Sequence, residues 1–180
     1  MKQVVVINGK GGVGKDFLCD IVGKYYKTKV ISVVDEVKKI AETCGWKGEK
    51  TPKARKFLSD LKLALENYNS LPLMSVFEKL NTFLQKDEEI LFIHMREKND
   101  IEMIKQLVNF TGMYKSLSLT TLLVERDGLS DNIYGNVADD NVNDYLYDYV
   151  YKNNCSLDEV ESDFMRYFEN NIIGKKVQNV

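Results

Sequence analysis

The chain has 180 residues, of which 44% are hydrophobic and 29% charged, and its formal net charge at pH 7 is -2. A chain of this length can bury one substantial core, so we expect a single domain. The acidic balance, without aromatic residues interleaved among basic ones, argues against a nucleic-acid partner. No apolar run is long enough to span a bilayer and the N-terminus shows no signal-peptide pattern, so we expect a cytoplasmic protein that is not membrane-bound.

The cysteines and the single histidine exclude several kinds of site. Cys19, Cys44 and Cys155 are odd in number, widely spaced and without a C-x-x-C pair, so neither a disulfide framework nor a zinc site is predicted. We expect reduced, mostly buried thiols rather than a catalytic nucleophile. His94 is the only histidine, which excludes a metal site built from several histidines of one chain.

Residues 9–16, with the sequence GKGGVGKD, match the phosphate-binding loop G-x-x-x-x-G-K-[ST] at every fixed position except the last. The strand pattern of Val4–Ile7 precedes them and the helical spacing of Phe17–Val22 follows, as that motif requires. Glycines let the backbone N–H groups turn toward a polyphosphate, and Lys15 adds a charge at its outer phosphates. The candidate phosphate-binding residues are Gly9, Lys10, Gly11, Gly12, Val13, Gly14, Lys15 and Asp16.

Asp16 stands where Ser or Thr usually contacts Mg²⁺. A carboxylate there is still a hard oxygen ligand suited to Mg²⁺, directly or through water. Its alternative role is to stabilise the first turn of the helix through the macrodipole. We expect metal contact.

The remaining chain alternates strand patterns with helical periodicity. In the first half the predicted elements are a strand at 2–8, a helix to about Tyr26, a strand at Thr28–Val34 and a helix at Asp35–Cys44. Two helices follow a break, the first capped by Thr51 with Pro52 at its first position and the second opening at Ser70. They make residues 45–87 a strand-free region, which we expect to bind the phosphoryl acceptor.

The second half continues the alternation. Its predicted elements are a strand at Ile90–Ile93, a helix at Asn99–Phe110, a strand at Leu117–Val124, a mobile loop at 127–143, a strand at Tyr145–Tyr151 and a helix opened by the capping box Ser156–Glu159. We expect the tail after Gly174 to be frayed. This order predicts the α/β class, with a five-stranded, mostly parallel sheet covered by helices on both faces.

Ligands of such sheets bind at the carboxyl ends of the strands. The pattern places there the glycine-rich loop, Asp35, the His94–Arg96 corner and Arg126. Arginine is the side chain for bidentate phosphate recognition. Because Arg55, Arg96 and Arg126 border the predicted crevice, we expect a second anion near the first, whereas Arg166 is interpreted as structural.

Several short motifs in this order carry a family resemblance. They are the Gly14-Lys15-Asp16 ending of the loop, Ser32-x-x-Asp35-x-x-Lys38, Met95-Arg96-x-x-Asn99-Asp100, Tyr147-Asp148-Tyr149-Val150, Asn153 and Ser156-Leu157-Asp158-Glu159. Together they cover most of the chain. With them the sequence resembles the deoxynucleoside monophosphate kinases of phage type, within the wider P-loop, nucleoside monophosphate kinase-like family.

This resemblance implies ATP as the phosphoryl donor, Mg²⁺ as cofactor, and a small monophosphate, foremost a (deoxy)nucleoside monophosphate, as acceptor. It implies that Lys15 and Asp16 serve the donor. The residues implied to face the acceptor are Asp35, Lys38, Arg55, His94 and Arg96, and Arg126 with residues 126–143 is implied to form a lid. The proposed catalytic residues are Lys15, Arg96, Arg126 and Asp35. Animal phosphomevalonate kinases share the Gly-Lys-Asp ending, so the acceptor need not be a nucleotide.

One departure from the family bears on turnover. Where the family carries an aspartate after the third strand, this chain has His94. A neutral imidazole is a poor Mg²⁺ ligand. Either Asp16 supplies the missing charge or the protein binds nucleotide with little turnover. His94 either donates a hydrogen bond to an acceptor phosphate or is a structural histidine.

Two alternatives remain. A nucleotide-binding regulatory protein without catalysis is consistent with His94. The loop also fits the K-G-G-x-G-K pattern of partition-type ATPases, in which Lys10 would reach a partner's nucleotide. That class requires Ser or Thr at position 16 and a D-x-D pair after the second strand, whereas this chain has Asp16 and Asp35-Glu36-Val37. The sequence leaves a monomer and a homodimer both open.

Overall fold

A computed structural model describes residues 2–110, 116–128 and 142–174. Its strands are β1 (Lys2–Asn8), β2 (Thr28–Ser32), β3 (Ile90–His94), β4 (Leu117–Glu125) and β5 (Tyr149–Lys152). Its helices are α1 (Lys15–Gly23), α2 (Asp35–Thr43), α3 (Pro52–Asn69), α4 (Leu71–Gln85), α5 (Lys98–Phe110) and α6 (Val160–Phe168), the last continuing as a π-helical turn (Glu169–Ile173).

Within these ranges the strands form one parallel five-stranded sheet in the order β2-β3-β1-β4-β5. The α/β class is therefore confirmed. In β1, Val5 pairs with Phe92 of β3 on one side and with Thr120 of β4 on the other. The chain leaves β1 for β2 in one direction and leaves β3 for β4 in the other, so the connections diverge next to β1. Ligand crevices in parallel sheets lie at such a point, outside the carboxyl ends of the strands.

Apolar side chains cover both faces of the sheet. One face packs against α1 and α6 through alternate strand residues such as Val5, Phe92 and Val124. The intervening residues Val4 and Ile93 are also fully buried, and α5 packs against β4. Strands buried on both faces are nearly continuous apolar runs, which is why their positions were predicted closely.

The strand prediction for Tyr145–Tyr151 was wrong at its start. A short 3₁₀ turn occupies Val142–Asp144, and β5 begins only at Tyr149. Asp148 explains the late start, because its Oδ2 accepts a hydrogen bond from the backbone N–H of Thr121 at 2.9 Å. The Asp148 carboxylate therefore binds a backbone N–H of β4 that would otherwise have been available to a longer β5.

Smaller differences have local causes. β2 ends at Ser32 rather than Val34, because the Ser32 N–H donates to Asp35 Oδ2 at 2.9 Å and starts a turn. α1 ends at Gly23 rather than Tyr26. The Ser156 hydroxyl does donate to Glu159 Oε2 at 2.8 Å, but α6 begins after both residues, at Val160.

By its internal contacts the chain divides into two compact units. The first comprises Met1–Val30 with Asp87–Val180, and the second comprises Ile31–Lys86. The second unit contains α2, α3 and α4, and Thr51 caps α3 by accepting a hydrogen bond from the Ala54 N–H at 3.2 Å, as predicted. The single-domain organisation stays a prediction. None of the helices that the structure describes is both long and apolar enough to cross a membrane.

The aromatic cluster under α6 provides a test of the core. Phe164 is fully buried, with ring centroids 4.8 Å from Tyr151 and 5.8 Å from Phe168. We expect Phe164→Ala to lower the free energy of unfolding by about 3–5 kcal/mol, because it leaves a cavity that rigid strands cannot close. Urea unfolding checks this. The control Leu157→Ala, at a side chain 80% exposed, should change it by less than about 0.5 kcal/mol, and equal losses would contradict the packing.

Candidate functional site

The glycine-rich loop between β1 and α1 has a shape that larger residues cannot adopt. Gly9 has φ of 144°, and a Cβ there would lie 2.3 Å from the backbone oxygen of Val124. Gly14 has φ of 94°, and a Cβ there would lie 2.6 Å from Asn153 Nδ2. Both contacts are shorter than any real Cβ makes. The loop is therefore pressed against the ends of β4 and β5.

Lys15 folds back over this loop. Its Nζ donates to the backbone oxygens of Gly9 at 2.5 Å and of Lys10 at 3.0 Å. Gly14, at the N-cap of α1, has no side chain to cap the helix, so the first-turn amides remain suited to an anion. The structure thus places an ammonium group and a helix N-terminus on one loop, as phosphate binding requires.

Asn8, the last residue of β1, is fully buried and holds the loop at its start. Its Oδ1 accepts from the Gly9 N–H at 2.8 Å, and its Nδ2 donates to the Tyr147 hydroxyl at 2.5 Å and the Arg96 carbonyl at 3.4 Å. Tyr147 in turn donates to the Val142 carbonyl at 2.9 Å. Burial raises the pKa of Tyr147 to about 12, so the phenol stays protonated near neutral pH. Asn8 was not predicted as a site residue, because its only signal in the sequence is a side-chain amide at the end of an apolar strand.

Asn153 holds the loop at its other end. This residue is 5% exposed, and its Nδ2 donates to the Val13 carbonyl at 2.8 Å. Its own N–H donates to the Glu125 carbonyl at 2.8 Å, which extends the β4–β5 ladder. Beside it, Asn154 and Asp127 exchange two hydrogen bonds. In the sequence, Asn153 was noticed only as part of the family resemblance, and no structural or functional role was assigned to it.

His94 ends β3 beside the first turn of α1. Its Nε2 lies 3.5 Å from Asp16 Oδ1 and 3.9 Å from Cys19 Sγ. The Asp16 side chain is 94% exposed and that of His94 is 17% exposed. The structure therefore brings together two unusual residues. Asp16 departs from the phosphate-loop pattern, and His94 departs from the family that the sequence resembles.

The thiols match the sequence prediction in part. All three cysteines are free. Cys19 is buried, and burial raises its pKa well above the usual range, which keeps the thiol protonated and unreactive. Cys155 is partly buried and Cys44, the C-cap residue of α2, is exposed, so the expectation of burial was wrong for Cys44.

Arg96 and Arg126 follow the two strands that flank β1. Arg96 is half-buried two residues after β3, and Arg126 comes directly after β4 with its side chain exposed. Both therefore lie at the carboxyl edge that carries the loop. Of the predicted lid, residues 129–141 lie outside the described residues, so the lid stays a prediction.

Asp35, Lys38 and Arg55 belong to the second unit. Asp35 Oδ2 accepts from Lys79 Nζ at 3.1 Å in addition to the Ser32 N–H, and Lys79 also lies 3.3 Å from Glu36 Oε1. Lys38 is exposed on α2, and Arg55 is exposed on α3 with its Nε donating to the Lys50 carbonyl at 3.3 Å. Asp35 thus has a structural task that the sequence did not indicate, because Lys79 is distant in sequence. The acceptor roles of these residues stay predictions.

No protein-family model matches the sequence, and no curated protein sequence matches it. Several solved structures match the fold of this chain. A candidate kinase from Chloroflexus aurantiacus J-10-fl gives a TM-score of 0.54 at 12% identity, with 94% of this chain and 97% of that chain covered. TT1252 from Thermus thermophilus gives 0.51 at 15% identity, with the same coverage. Shikimate kinase from Aquifex aeolicus VF5 gives 0.46 at 13% identity, over 97% of this chain and 99% of that chain.

The first two likenesses, with TM-scores above 0.5, show the fold. Together with the loop between β1 and α1, they identify a P-loop α/β fold with a five-stranded parallel sheet. They do not select the phage deoxynucleoside monophosphate kinase type that the motifs resemble.

The close approach of Gly9 to Val124 can be tested by substitution. We expect Gly9→Ala to destabilise the fold and to abolish nucleotide binding, because the backbone oxygen that a Cβ would meet belongs to a central strand. The matched control is Gly45→Ala, where φ is 95° and nothing lies within 4 Å of a Cβ, so only a backbone cost of about 1–2 kcal/mol applies. Urea unfolding and nucleotide titration would measure both variants. A Gly9→Ala protein as stable as the control would contradict the contact.

The buried Tyr147 hydroxyl predicts a pH dependence. Its folded pKa of about 12 exceeds the ordinary tyrosine pKa of 10.0, so its contribution to stability is complete below pH 10 and is lost as pH rises toward 12. We expect Tyr147→Phe to lower the unfolding free energy at pH 8 by about 1–2 kcal/mol. The variant should then lose less stability than the wild type between pH 8 and 11.

Urea unfolding at both pH values measures this difference. Tyr68→Phe, at a side chain 85% exposed, is the control and should behave as the wild type. Parallel losses in the Tyr147→Phe protein and the wild type would contradict the buried, neutral phenol.

Proposed function

We propose that the chain is an ATP-dependent phosphotransferase that moves the γ-phosphoryl group to a small monophosphate, foremost a (deoxy)nucleoside monophosphate. The observation that carries the proposal is the position of Lys15, whose Nζ is held on the Gly9 and Lys10 carbonyls of the loop. A cation fixed there needs little reorganisation when a polyphosphate arrives. The likeness to the solved candidate kinase from Chloroflexus aurantiacus J-10-fl supports the same reaction class.

The donor side requires a cradle for phosphates and stabilisation of charge as transfer proceeds. The Gly9 N–H is bonded to Asn8 Oδ1, so the backbone N–H groups of residues 10–16, which include the start of α1, would hold the β- and γ-phosphates. Lys15 would offset their charge. Because Asn8 and Asn153 fix both ends of this loop, its donors are oriented before the nucleotide binds.

A divalent cation fits the residues present. Asp16 offers a carboxylate in the first turn of α1, and its 94% exposure leaves room for a metal and its waters. Such an ion, Mg²⁺ by the family resemblance, would neutralise phosphate charge when bound. Asp16 would hold the cation on the protein side.

Arginine side chains are proposed to bind the acceptor phosphate and the transferring group. Arg96 follows β3 at the loop-bearing edge, and we assign it to the acceptor phosphate because a guanidinium binds phosphate through two hydrogen bonds. Arg126 would offset charge on the transferring group. The family resemblance supports Asp35, Lys38 and Arg55 as further acceptor-binding residues. Asp35 would orient the attacking oxygen.

A coupled ADP-release assay tests the proposal. The panel contains ATP, a divalent cation, ribo- and deoxynucleoside monophosphates, phosphomevalonate, dephospho-coenzyme A and, as an acceptor without phosphate, shikimate. We expect ADP release that depends on a monophosphate, and a loss of at least about 100-fold in kcat/KM for Lys15→Ala. The control Lys29→Ala changes an exposed lysine of β2 and should keep full activity.

Other outcomes would contradict the proposal. Tight ATP binding without ADP release across the panel would indicate a regulatory nucleotide-binding protein. ATP-driven dimerisation that Lys10→Ala abolishes would indicate a partition-type ATPase. Turnover with shikimate alone would keep the phosphotransferase and exclude the monophosphate acceptor.

A further inference from the structure

The contact between His94 and Asp16 brings an imidazole nitrogen and a carboxylate oxygen to one point beside the phosphate-binding loop. The atoms are His94 Nε2 and Asp16 Oδ1, 3.5 Å apart. His94 comes from the end of β3 and Asp16 from the residue next to Lys15. Both side chains therefore lie where a cation accompanying the phosphates would be held.

The separation of these atoms fits a shared metal ion. Ligand atoms that share a zinc-like ion at about 2.0–2.2 Å in tetrahedral geometry lie about 3.3–3.6 Å apart. The observed 3.5 Å needs no movement of the backbone. Asp16 is almost fully exposed, so its carboxylate can also turn to complete the bond angle.

The chemistry of the pair selects the kind of metal. Mg²⁺ prefers an all-oxygen shell, whereas imidazole nitrogen suits zinc, cobalt and nickel. A site with one imidazole nitrogen and one carboxylate oxygen therefore suits these ions better than Mg²⁺. Cys19 Sγ, 3.9 Å from the same nitrogen, adds a polarizable neighbour on the buried side.

We propose that Asp16 and His94 together form a binding site for a first-row transition-metal dication such as Co²⁺ or Zn²⁺, which accompanies the nucleotide in preference to Mg²⁺. The role beside the nucleotide rests on the proposed function. The two-residue site does not, because it follows from the side chains alone.

The single histidine makes a direct test possible. His94 is the only histidine in the sequence, so chain produced without a histidine tag gives one set of imidazole proton resonances. We expect Co²⁺ to shift these resonances outside the diamagnetic range, since direct coordination delivers unpaired electron density to the ring. Mg²⁺ at the same concentration should leave them in place. The titration is run with Co²⁺ alone and again with a non-hydrolysable ATP analogue, which should tighten Co²⁺ binding.

Variants separate coordination from a structural effect. Asp16→Asn and His94→Asn should each weaken Co²⁺ binding at least about tenfold, because a ligand is lost. Asp16 is exposed, so its substitution leaves the fold intact. Asp20→Asn, an exposed carboxylate one turn further along α1, is the matched control and should bind Co²⁺ as the wild type does. His94→Asp should bind Co²⁺ less tightly and Mg²⁺ more tightly, which restores an all-oxygen site.

The results distinguish this inference from the proposed function. Imidazole resonances that stay in place with saturating Co²⁺, or equal Co²⁺ affinity in wild type and His94→Asn, would overturn the metal site even if ATP binds. A shift with Co²⁺ that no ATP analogue alters would keep the site and overturn its role beside the nucleotide. Absence of any analogue binding, measured separately by calorimetry, would overturn the proposed function.

Discussion

The buried side-chain amide of Asn8 is the contact on which the carboxyl edge of the sheet depends. Asn8 is fully buried, and its amide joins the start of the glycine-rich loop, the Arg96 backbone and the Tyr147 hydroxyl in one hydrogen-bonded group. A buried amide with lost partners would carry a desolvation cost, so these elements are held in one arrangement. The loop, the corner after β3 and the segment around Tyr147 therefore keep a fixed geometry.

A fixed geometry at this edge would allow a small number of side chains to bind the polyphosphate that we propose as the ligand. Asn153 and the glycine contacts fix the far end of the loop, and Lys15 is already turned onto it. Preorganised donors lose little entropy on binding and need no reorientation as charge develops. His94 and Asp16 lie next to this loop, and we propose that their chemistry selects the cation that accompanies the phosphates.

The sequence predicted the fold well, because its strongest signals were local. Continuous apolar runs predicted the buried strands, and a glycine-rich loop between strand and helix predicted the position of the candidate site. The larger errors lie where a side chain that is distant in the sequence decides the outcome. Asp148 delays β5 by binding Thr121, and Lys79 pairs with Asp35 from another helix. Asn8 was missed for the same reason, since its partners at positions 96 and 147 become visible only in the folded chain.

The central claim is that the loop of residues 9–16 binds the triphosphate of a nucleotide. Calorimetric titration of the wild-type chain, of Lys15→Ala and of the control Lys29→Ala with ATP tests it most directly. The account predicts that Lys15→Ala weakens ATP binding at least about tenfold, whereas Lys29→Ala, at an exposed lysine of β2, binds ATP as the wild type does. Unchanged ATP binding in Lys15→Ala would contradict it.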